Sequence, residues 1–195
     1  MKLSILIPSI PSRFDMLVKQ YNFLIDLVKD SPVEILAFTD NKKRSIGFKR
    51  DALVQIANGE YISFVDDDDE VYQNYVDEIL KACDLNSDVV SIKQHAQIED
   101  GNKFEVDFSI SYENEEATKV NGVWKNITRK PFHTCAWKTE IAKKYRFPDA
   151  SYGEDWHWCK RVLQDVKTEH KIHVPIMCYH WDSKITEAEH IFPKD

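Results

Sequence analysis

Two adjoining runs in the first half of the chain decide the expected fold: Tyr61-Ile62-Ser63-Phe64-Val65 and Asp66-Asp67-Asp68-Asp69-Glu70. The first run is typical of a buried strand, and it ends directly in a row of carboxylates. Like charges this close together repel one another unless a counter-charge offsets them. A hard divalent cation is the natural counter-charge because it prefers oxygen ligands. Since open α/β sheets bind ligands at the carboxyl ends of their strands, we expect a metal and phosphate site at a sheet edge.

The segments around these runs alternate between apolar runs and helical patterns. Strands are predicted at residues 3–7, 33–38, 61–65 and 89–92, and helices at 14–28, 46–57 and 72–83. The order β-α-β-α-β-α-β implies a mostly parallel sheet flanked by helices. The simpler explanation of the acidic run, a solvated turn before a helix, accounts for Asp69 and Glu70 but not for four aspartates after a buried strand.

The pattern changes in the second half of the chain. Asp100-Gly101 is a hairpin-turn signal, and residues 104–112 alternate between apolar and polar, as in a half-buried antiparallel strand. Residues 113–119 are expected to form a charged loop. Further strands are predicted at 132–137 and 172–179, helices at 139–145 and 155–166, and a polar tail at the surface. The second half therefore has the pattern of a mixed substrate-binding portion of the same domain.

The composition indicates an ordinary globular protein. The net charge of −7 argues against broad nonspecific binding to nucleic acid. The four cysteines are too far apart for a zinc site or a redox dithiol, so we interpret them as reduced, buried thiols. No stretch approaches the roughly 20 apolar residues of a membrane span. We therefore expect a cytoplasmic protein that is soluble or attached only peripherally to a membrane.

Acidic and basic residues follow the second predicted strand. Asp40 comes at its end, where a carboxylate can accept hydrogen bonds from a base or a ribose. The basic loop 42–44 could pair with a diphosphate, although a solvated surface turn is the alternative. Lys49 and Arg50 lie near a predicted helix start, where positive charge opposes the helix dipole. A nearby anionic ligand would relieve this, and solvated charges on an amphipathic helix are the alternative.

A second acidic pair lies far along the chain. Glu154 and Asp155 come at the start of a predicted helix, next to Trp156. Aromatic neighbours can desolvate a carboxylate and raise its pKa towards the range of a general base. The indole face also suits a sugar ring, whereas a helix-capping acid above packed tryptophans is the alternative. His180, at the end of the last strand, is a candidate metal ligand, with a structural histidine as the alternative. His133 is interpreted as a core histidine, with a position facing the ligand as the alternative.

These segments, in this order, resemble the family 2 glycosyltransferases, which have the GT-A fold. The resemblance lies in residues 4–9, 39–40, 47–52, 57–69, 153–156 and 179–181. It covers most of the chain, and an Asp-x-Asp-Asp segment after a strand with a downstream Glu-Asp pair is fairly specific. It implies one GT-A domain over residues 1–195, with a Rossmann-like, mostly parallel sheet and a smaller antiparallel portion. The nucleotide-sugar-binding half would be 1–94, and the acceptor and catalytic half 95–195.

The resemblance also implies roles for residues on the nucleotide side. Pro8 and Ser9 would line the nucleotide pocket, and Asp40 would meet the base. Lys49 and Arg50 would lie near the ribose or the diphosphate. The donor would be a nucleotide-diphosphate sugar, with UDP as the expected nucleotide.

For the reaction, the resemblance implies a metal-dependent transfer with inversion. Asp66 and Asp68 match the Asp-x-Asp motif that binds the ribose and a Mn²⁺ or Mg²⁺ ion, and His180 would complete the metal site. Asp155 matches the catalytic base, with Glu154 beside it. The acceptor hydroxyl would belong to a glycan, a lipid-linked sugar, a protein or a modified nucleobase.

Two other functions stay open at this point. A nucleotidyltransferase has a similar nucleotide-binding half, but it usually needs a glycine-rich loop, and residues 8–12 contain no glycine. A noncatalytic nucleotide-sugar-binding module could keep the same fold. Such a module would not require both the intact aspartate run and the Glu154-Asp155 pair.

Overall fold

The computed structural model describes residues 1–99, 101–113 and 115–182, and these form ten strands and five α-helices. The strands are β1 (Leu3–Pro8), β2 (Val33–Phe38), β3 (Tyr61–Phe64), β4 (Glu70–Val71), β5 (Val89–Ile98), β6 (Phe104–Phe108), β7 (Glu116–Val120), β8 (Val123–Arg129), β9 (Ala136–Lys138) and β10 (Glu169–Trp181). The helices are α1 (Phe14–Leu27), α2 (Ile46–Ile56), α3 (Tyr75–Cys83), α4 (Thr139–Ala142) and α5 (Glu154–Val162), and a 3-10 turn (Pro11–Arg13) precedes α1.

The described strands join one sheet in the order β2-β1-β3-β9-β5-β6-β8-β7, with β10 paired to both β5 and β4. Strands β2, β1 and β3 are parallel, and β10 is parallel to β5. Strand β9 is antiparallel to both β3 and β5, so β3 and β5 run in the same direction. The predicted mostly parallel α/β sheet is confirmed, and it brings the ends of β1, β2 and β3 to one edge.

The central strands are buried because helices and loops cover the sheet. Every residue of β1 and of β3 is buried. Such strands have near-continuous apolar sequences rather than alternating ones. The polar exceptions are satisfied: Ser63 bonds to the Tyr75 hydroxyl at 2.9 Å and donates to the Thr134 carbonyl at 3.0 Å.

Several predicted boundaries differ from the observed ones. Helix α3 begins at Tyr75 instead of residue 72, because residues 66–71 form a turn and the short strand β4, which pairs with β10. Strand β5 continues to Ile98, since it pairs with β6 and β10 along its length. The predicted strand 132–137 is confined to β9, and the predicted helices 139–145 and 155–166 are the shorter α4 and α5.

The prediction of a loop at residues 113–119 is wrong, because residues 116–129 form the β7–β8 hairpin. Its turn is Asn121-Gly122, with φ angles of 52° and 77°. Such positive values suit the tight turns that connect antiparallel strands. The predicted hairpin after β5 is confirmed by the antiparallel pairing of β5 with β6, although Asp100 itself lies outside the described residues. The predicted tail after residue 182 also lies outside them.

The four cysteines are free and buried, as predicted. Within the described part of the chain, no helix combines the length and the apolar character needed to cross a bilayer.

Candidate active site

A cleft of about 880 Å³ opens at the carboxyl ends of β1 and β3. It is bordered by the turn after β1, by the aspartate run and by the starts of α2 and α5. It brings together predicted residues from both halves of the chain. Among its lining residues are Pro8, Ser9, Arg13, Lys49, Arg50, Asp66, Asp67, Asp68, Phe132, Glu154, Asp155, Trp156 and Tyr179.

Asp66 lies between two cationic or titratable side chains. The Arg50 guanidinium donates to its carboxylate, with Nη2 at 2.9 Å from Oδ2. Nε2 of His133 lies 3.3 Å from the same oxygen. Burial alone would raise the pKa of Asp66, but Arg50 and His133 outweigh it and hold that pKa below its usual range. Asp66 therefore stays ionised in the folded protein.

Asp67, the middle residue of the Asp-x-Asp match, is buried and connects two other segments of the chain. Its Oδ2 accepts a hydrogen bond from the Ser9 hydroxyl at 2.7 Å, and its Oδ1 accepts one from Arg13 at 2.8 Å. The 3-10 turn before α1 places Arg13 here, and the same guanidinium lies 3.0 Å from Oδ2 of Asp68. Asp67 thus ties the aspartate run to the turn after β1.

Burial makes the other two aspartates harder to ionise. Burial raises the pKa of Asp68 to about 6, and the neighbouring Asp66 adds to this effect. Burial also raises the pKa of Asp69 well above its usual value, again with Asp66 contributing. Oδ1 of Asp69 accepts from the backbone N–H of His180 at 3.0 Å, while its Oδ2 is buried without a hydrogen-bond partner.

The starts of α2 and α5 pack closely together, and this contact places the Glu154-Asp155 pair at the cleft. Gly47, in the first turn of α2, donates its N–H to the Ala150 carbonyl at 3.0 Å. A Cβ on this glycine would lie 2.0 Å from the Pro148 carbonyl oxygen, so no other residue allows this approach. The contact brings Arg50 to the start of α5, where its Nε lies 3.2 Å from Oε1 of Glu154.

Glu154 is buried beneath the cleft. Burial raises its pKa, and the nearby Asp155 adds to that effect while Arg50 opposes it. Arg50 is buried too, and its guanidinium lies 5.1 Å from the centre of the Phe64 ring. Burial would lower the pKa of Arg50, but Asp66 and Glu154 outweigh it and keep the guanidinium charged. Arg50 therefore cross-links the aspartate run to α5.

Asp155 is more exposed than Glu154 and faces the cleft. Its Oδ1 accepts the N–H of Trp156 at 2.6 Å, and its Oδ2 lies 3.4 Å from Nδ1 of His133. Because Nε2 of His133 meets Asp66, the imidazole lies between the aspartate run and Asp155. Gly153, with a φ angle of 70°, makes the left-handed turn that starts α5 and points Asp155 into the cleft.

Among the residues predicted on the nucleotide side, Lys49 links Ser9 to Asp40. Nζ of Lys49 donates to the Ser9 carbonyl and to Oδ1 of Asp40, both at 2.8 Å, and its side chain is almost fully buried. The hydrogen bond from Lys49 lowers the pKa of Asp40, as do backbone N–H groups of the following loop. Lys49 lines the cleft and Asp40 does not, so contact of Asp40 with a base stays a prediction.

The predicted metal ligands are not preassembled. Among the described residues, no three His, Cys, Asp or Glu side chains are grouped as a metal cage. The His180 side chain borders a neighbouring cleft of about 660 Å³, and its Nε2 lies 3.5 Å from Glu70. The donors themselves still suit a hard cation, because Asp66 and Asp68 offer carboxylate oxygens. One oxygen of the adjacent Asp69, Oδ2, is buried without a hydrogen-bond partner, which leaves an acceptor that a cation could satisfy.

Two residues of the site were not predicted as site residues from the sequence. His133 was interpreted as a core histidine, with a ligand-facing position as the alternative, and it is buried while facing both Asp66 and Asp155. Arg13 carries no periodic or motif signal, and the 3-10 turn alone brings it to the aspartates. Both residues are more than 50 positions from the aspartate run, so the sequence offers no local signal that connects either of them to it.

Solved structures of S. aureus TarS share the fold of this chain. The structure of TarS 1–349 superposes with a TM-score of 0.59 at 16% identity, over 92% of this chain and 60% of TarS 1–349. The complex of TarS 1–349 with UDP superposes with a TM-score of 0.61 at 16% identity, over 92% of this chain and 60% of the TarS chain. The complex of TarS 1–349 with UDP-GlcNAc superposes with a TM-score of 0.61 at 16% identity, over 97% of this chain and 60% of the TarS chain. This chain thus spans about 60% of the length of TarS 1–349, and the predicted GT-A fold is confirmed.

The amino-acid sequence was also compared with curated proteins and with protein families, independently of the structure. No curated protein matches the chain significantly. Residues 15–146, which include the aspartate run, Arg50 and His133, match the family described as Glycosyl transferase family 2. This match covers well over half of the chain, so the protein belongs to Glycosyl transferase family 2.

Proposed function

We propose that this protein transfers a sugar from a nucleotide-diphosphate sugar to an acceptor hydroxyl, with inversion at the anomeric carbon. The observation that carries the proposal is the placement of Asp155 in the same cleft as Asp66, with the His133 imidazole between them. A transferase of this kind needs a donor-binding acid and a separate base that faces the acceptor. Asp66 and Asp155 are 89 residues apart in sequence, and the fold brings both to one cleft. This is what a shared functional site requires.

The proposed donor is a UDP-linked sugar. TarS has been solved with UDP and with UDP-GlcNAc, which makes UDP-GlcNAc the first donor to test. Pro8 and Ser9 lie at the base of the cleft, and Lys42 and Arg44 line its rim. Positive side chains at a rim attract a diphosphate and raise its local concentration.

The site fits a divalent cation because Asp66 and Asp68 line the cleft with carboxylate oxygens and the buried Oδ2 of Asp69 has no hydrogen-bond partner. Asp66 and Asp68 would hold the ion, and Mn²⁺ or Mg²⁺ would supply charge stabilisation to the departing diphosphate. Arg50 keeps Asp66 ionised and fixed, which prepares that carboxylate for its role. Arg13 holds Asp67 and Asp68 from the other side of the run.

Asp155 is the proposed general base. The N–H of Trp156 holds one oxygen of its carboxylate, and Nδ1 of His133 lies 3.4 Å from the other oxygen. Asp155 accepts the proton of the acceptor hydroxyl as that oxygen attacks the anomeric carbon from the face opposite the diphosphate. The transition state then resembles an oxocarbenium ion, and the buried carboxylates of the cleft favour its positive charge.

Replacing the base tests the proposal. We expect Asp155→Asn to lower sugar transfer and donor hydrolysis by about 100-fold or more, since it removes the proton acceptor. Calorimetry with UDP and Mn²⁺ should show nearly unchanged nucleotide binding. Asp165→Asn, a partly exposed aspartate beyond α5 that pairs with Lys144, is the matched control. Full activity of Asp155→Asn would remove Asp155 from this role, and failure of the wild type to bind any nucleotide sugar would contradict the function itself.

A further inference from the structure

Two large aromatic side chains stand exposed on either side of the turn that carries the proposed base. Tyr152 is 60% exposed and Trp156 is 49% exposed, and both line the cleft with Asp155. The other tryptophan of α5, Trp158, is fully buried against Phe147 and Trp137. Because both rings line the cleft beside the same carboxylate, they offer a ligand in the cleft apolar surface whose burial on binding is favourable.

Trp156 is held in place by its own helix. The Lys160 ammonium, one turn further along α5, lies 5.0 Å from the centre of the indole ring. The His157 ring packs edge-on, with 4.9 Å between the ring centres and an angle of 78°. A ring fixed in this way loses little conformational entropy when a ligand stacks on it, and it is therefore a suitable binding platform.

The ring and the base belong to adjacent residues. The backbone N–H of Trp156 donates to Oδ1 of Asp155 at 2.6 Å, which holds that carboxylate next to the backbone that carries the indole. Because both residues line the cleft, a ligand that stacks on Trp156 can present its polar edge to Asp155. Ser151 and His157, which also line the cleft, supply hydrogen-bonding groups around the same position.

We propose that Tyr152 and Trp156 form an acceptor subsite and that the acceptor is a carbohydrate. A pyranose ring has an apolar C–H face that packs on an aromatic ring and a polar edge of hydroxyl groups that can reach a base. This inference rests on the proposed function and specifies its acceptor. A nucleobase would also stack on these rings, but the net charge of −7 opposes the approach of a nucleic-acid backbone.

The first test is direct binding, measured by saturation-transfer NMR on the full chain with UDP and Mn²⁺. The probes are gluco-, galacto- and manno-configured oligosaccharides, a serine-containing peptide, and single-stranded DNA with 5-hydroxymethylcytosine. We expect signal from the C–H face of at least one oligosaccharide, lost in Trp156→Ala and partly kept in Trp156→Phe. Absence of signal from every oligosaccharide, or signal from the peptide or DNA alone, would overturn the proposal.

The second test uses transfer from UDP-GlcNAc to the oligosaccharide that binds. We expect Trp156→Ala and Tyr152→Ala each to raise the acceptor KM by about tenfold or more, because stacking contributes to acceptor binding. Phe14→Ala is the matched control, since Phe14 is 53% exposed on α1 and lines neither cleft. An unchanged acceptor KM in both cleft variants would disprove the subsite. If the wild type neither binds UDP nor turns over the donor, the proposed function fails, while the NMR signals with and without Trp156 still decide the carbohydrate site.

Discussion

At the scale of single residues, one buried imidazole connects the two acidic groups of the site. Nε2 of His133 lies 3.3 Å from Asp66, and its Nδ1 lies 3.4 Å from Asp155. The rings of Phe64 and Phe132 pack edge-on against it, so its position is restricted. A displacement of Asp66 can therefore shift Asp155 through the His133 ring alone.

Replacing this imidazole should affect turnover more than donor binding. We expect His133→Gln to lower kcat by about 10- to 100-fold, because one side-chain amide cannot hold both carboxylates and a small misplacement of a base is costly. The donor KM should change little. The control is His95→Gln, which removes a histidine bonded to the Tyr72 hydroxyl at 2.8 Å, outside the cleft. Equal kcat values for the two variants would show that His133 has only a packing role.

The raised pKa of Asp68 predicts a pH-dependent stability. Burial and Asp66 raise this pKa from 3.8 to about 6, so the folded state holds the proton more tightly than the unfolded chain. Stability should therefore fall as the pH rises from about 4 to 6 and then level off. A shift of this size corresponds to at most about 3 kcal/mol.

Thermal unfolding in EDTA measures this effect. At pH 7, Asp68→Asn should have a Tm about 3–6 °C above that of the wild type, since it removes the buried charge. Arg13 keeps Asp67 as its partner in this variant. Added Mn²⁺ should raise the Tm of the wild type and have little effect on the variant. A wild-type Tm in EDTA that increases steadily from pH 4.5 to 7 would contradict the prediction.

At the scale of elements, the contact between the starts of α2 and α5 sets the position of Arg50. We expect Gly47→Ala to destabilise the fold by about 1–3 kcal/mol, because the added methyl overlaps the Pro148 carbonyl. Urea unfolding measures the loss, and activity should fall with it as Arg50 separates from Glu154. Ile56→Ala, a 58% exposed position at the other end of α2, is the control and should change stability little. Wild-type stability of Gly47→Ala would mean that the two helix starts can move apart freely.

Elements with a strong local pattern could be predicted from the sequence. The strand before Asp66 and the acids after it were found because burial and charge are both visible within ten residues. The β7–β8 hairpin was missed although Asn121-Gly122 is a turn signal, since every residue of β7 is exposed and its charged side chains suggest a loop. Those charges have a function at the edge of a sheet, where they discourage pairing with other chains.

The partners of the aspartates could not be predicted, because the contacts join distant parts of the chain. Arg13 and Asp67 are 54 residues apart, and His133 and Asp66 are 67 apart. Neither pair lies on a common helix face or on paired strands, so no periodicity connects them. Only the complete tertiary fold brings these side chains together.

At the scale of the whole molecule, the two expected halves share one sheet. The division at residue 94 falls within β5, and β10 returns from the end of the described chain to pair with β5 and β4. Strand β9, also from the second half, lies between β3 and β5. The cleft is therefore completed only when residues on both sides of the division have folded.

The position of β9 has a consequence for producing the protein in pieces. A fragment of residues 1–94 would retain β1, β2 and β3 but leave the fully buried strand β3 with one bare edge. An unpaired apolar edge is a template for pairing with other chains, so this fragment should aggregate during expression, whereas the full chain covers that edge. Sedimentation of both would show this difference, and a monodisperse fragment would mean that the first three strands form a self-sufficient unit.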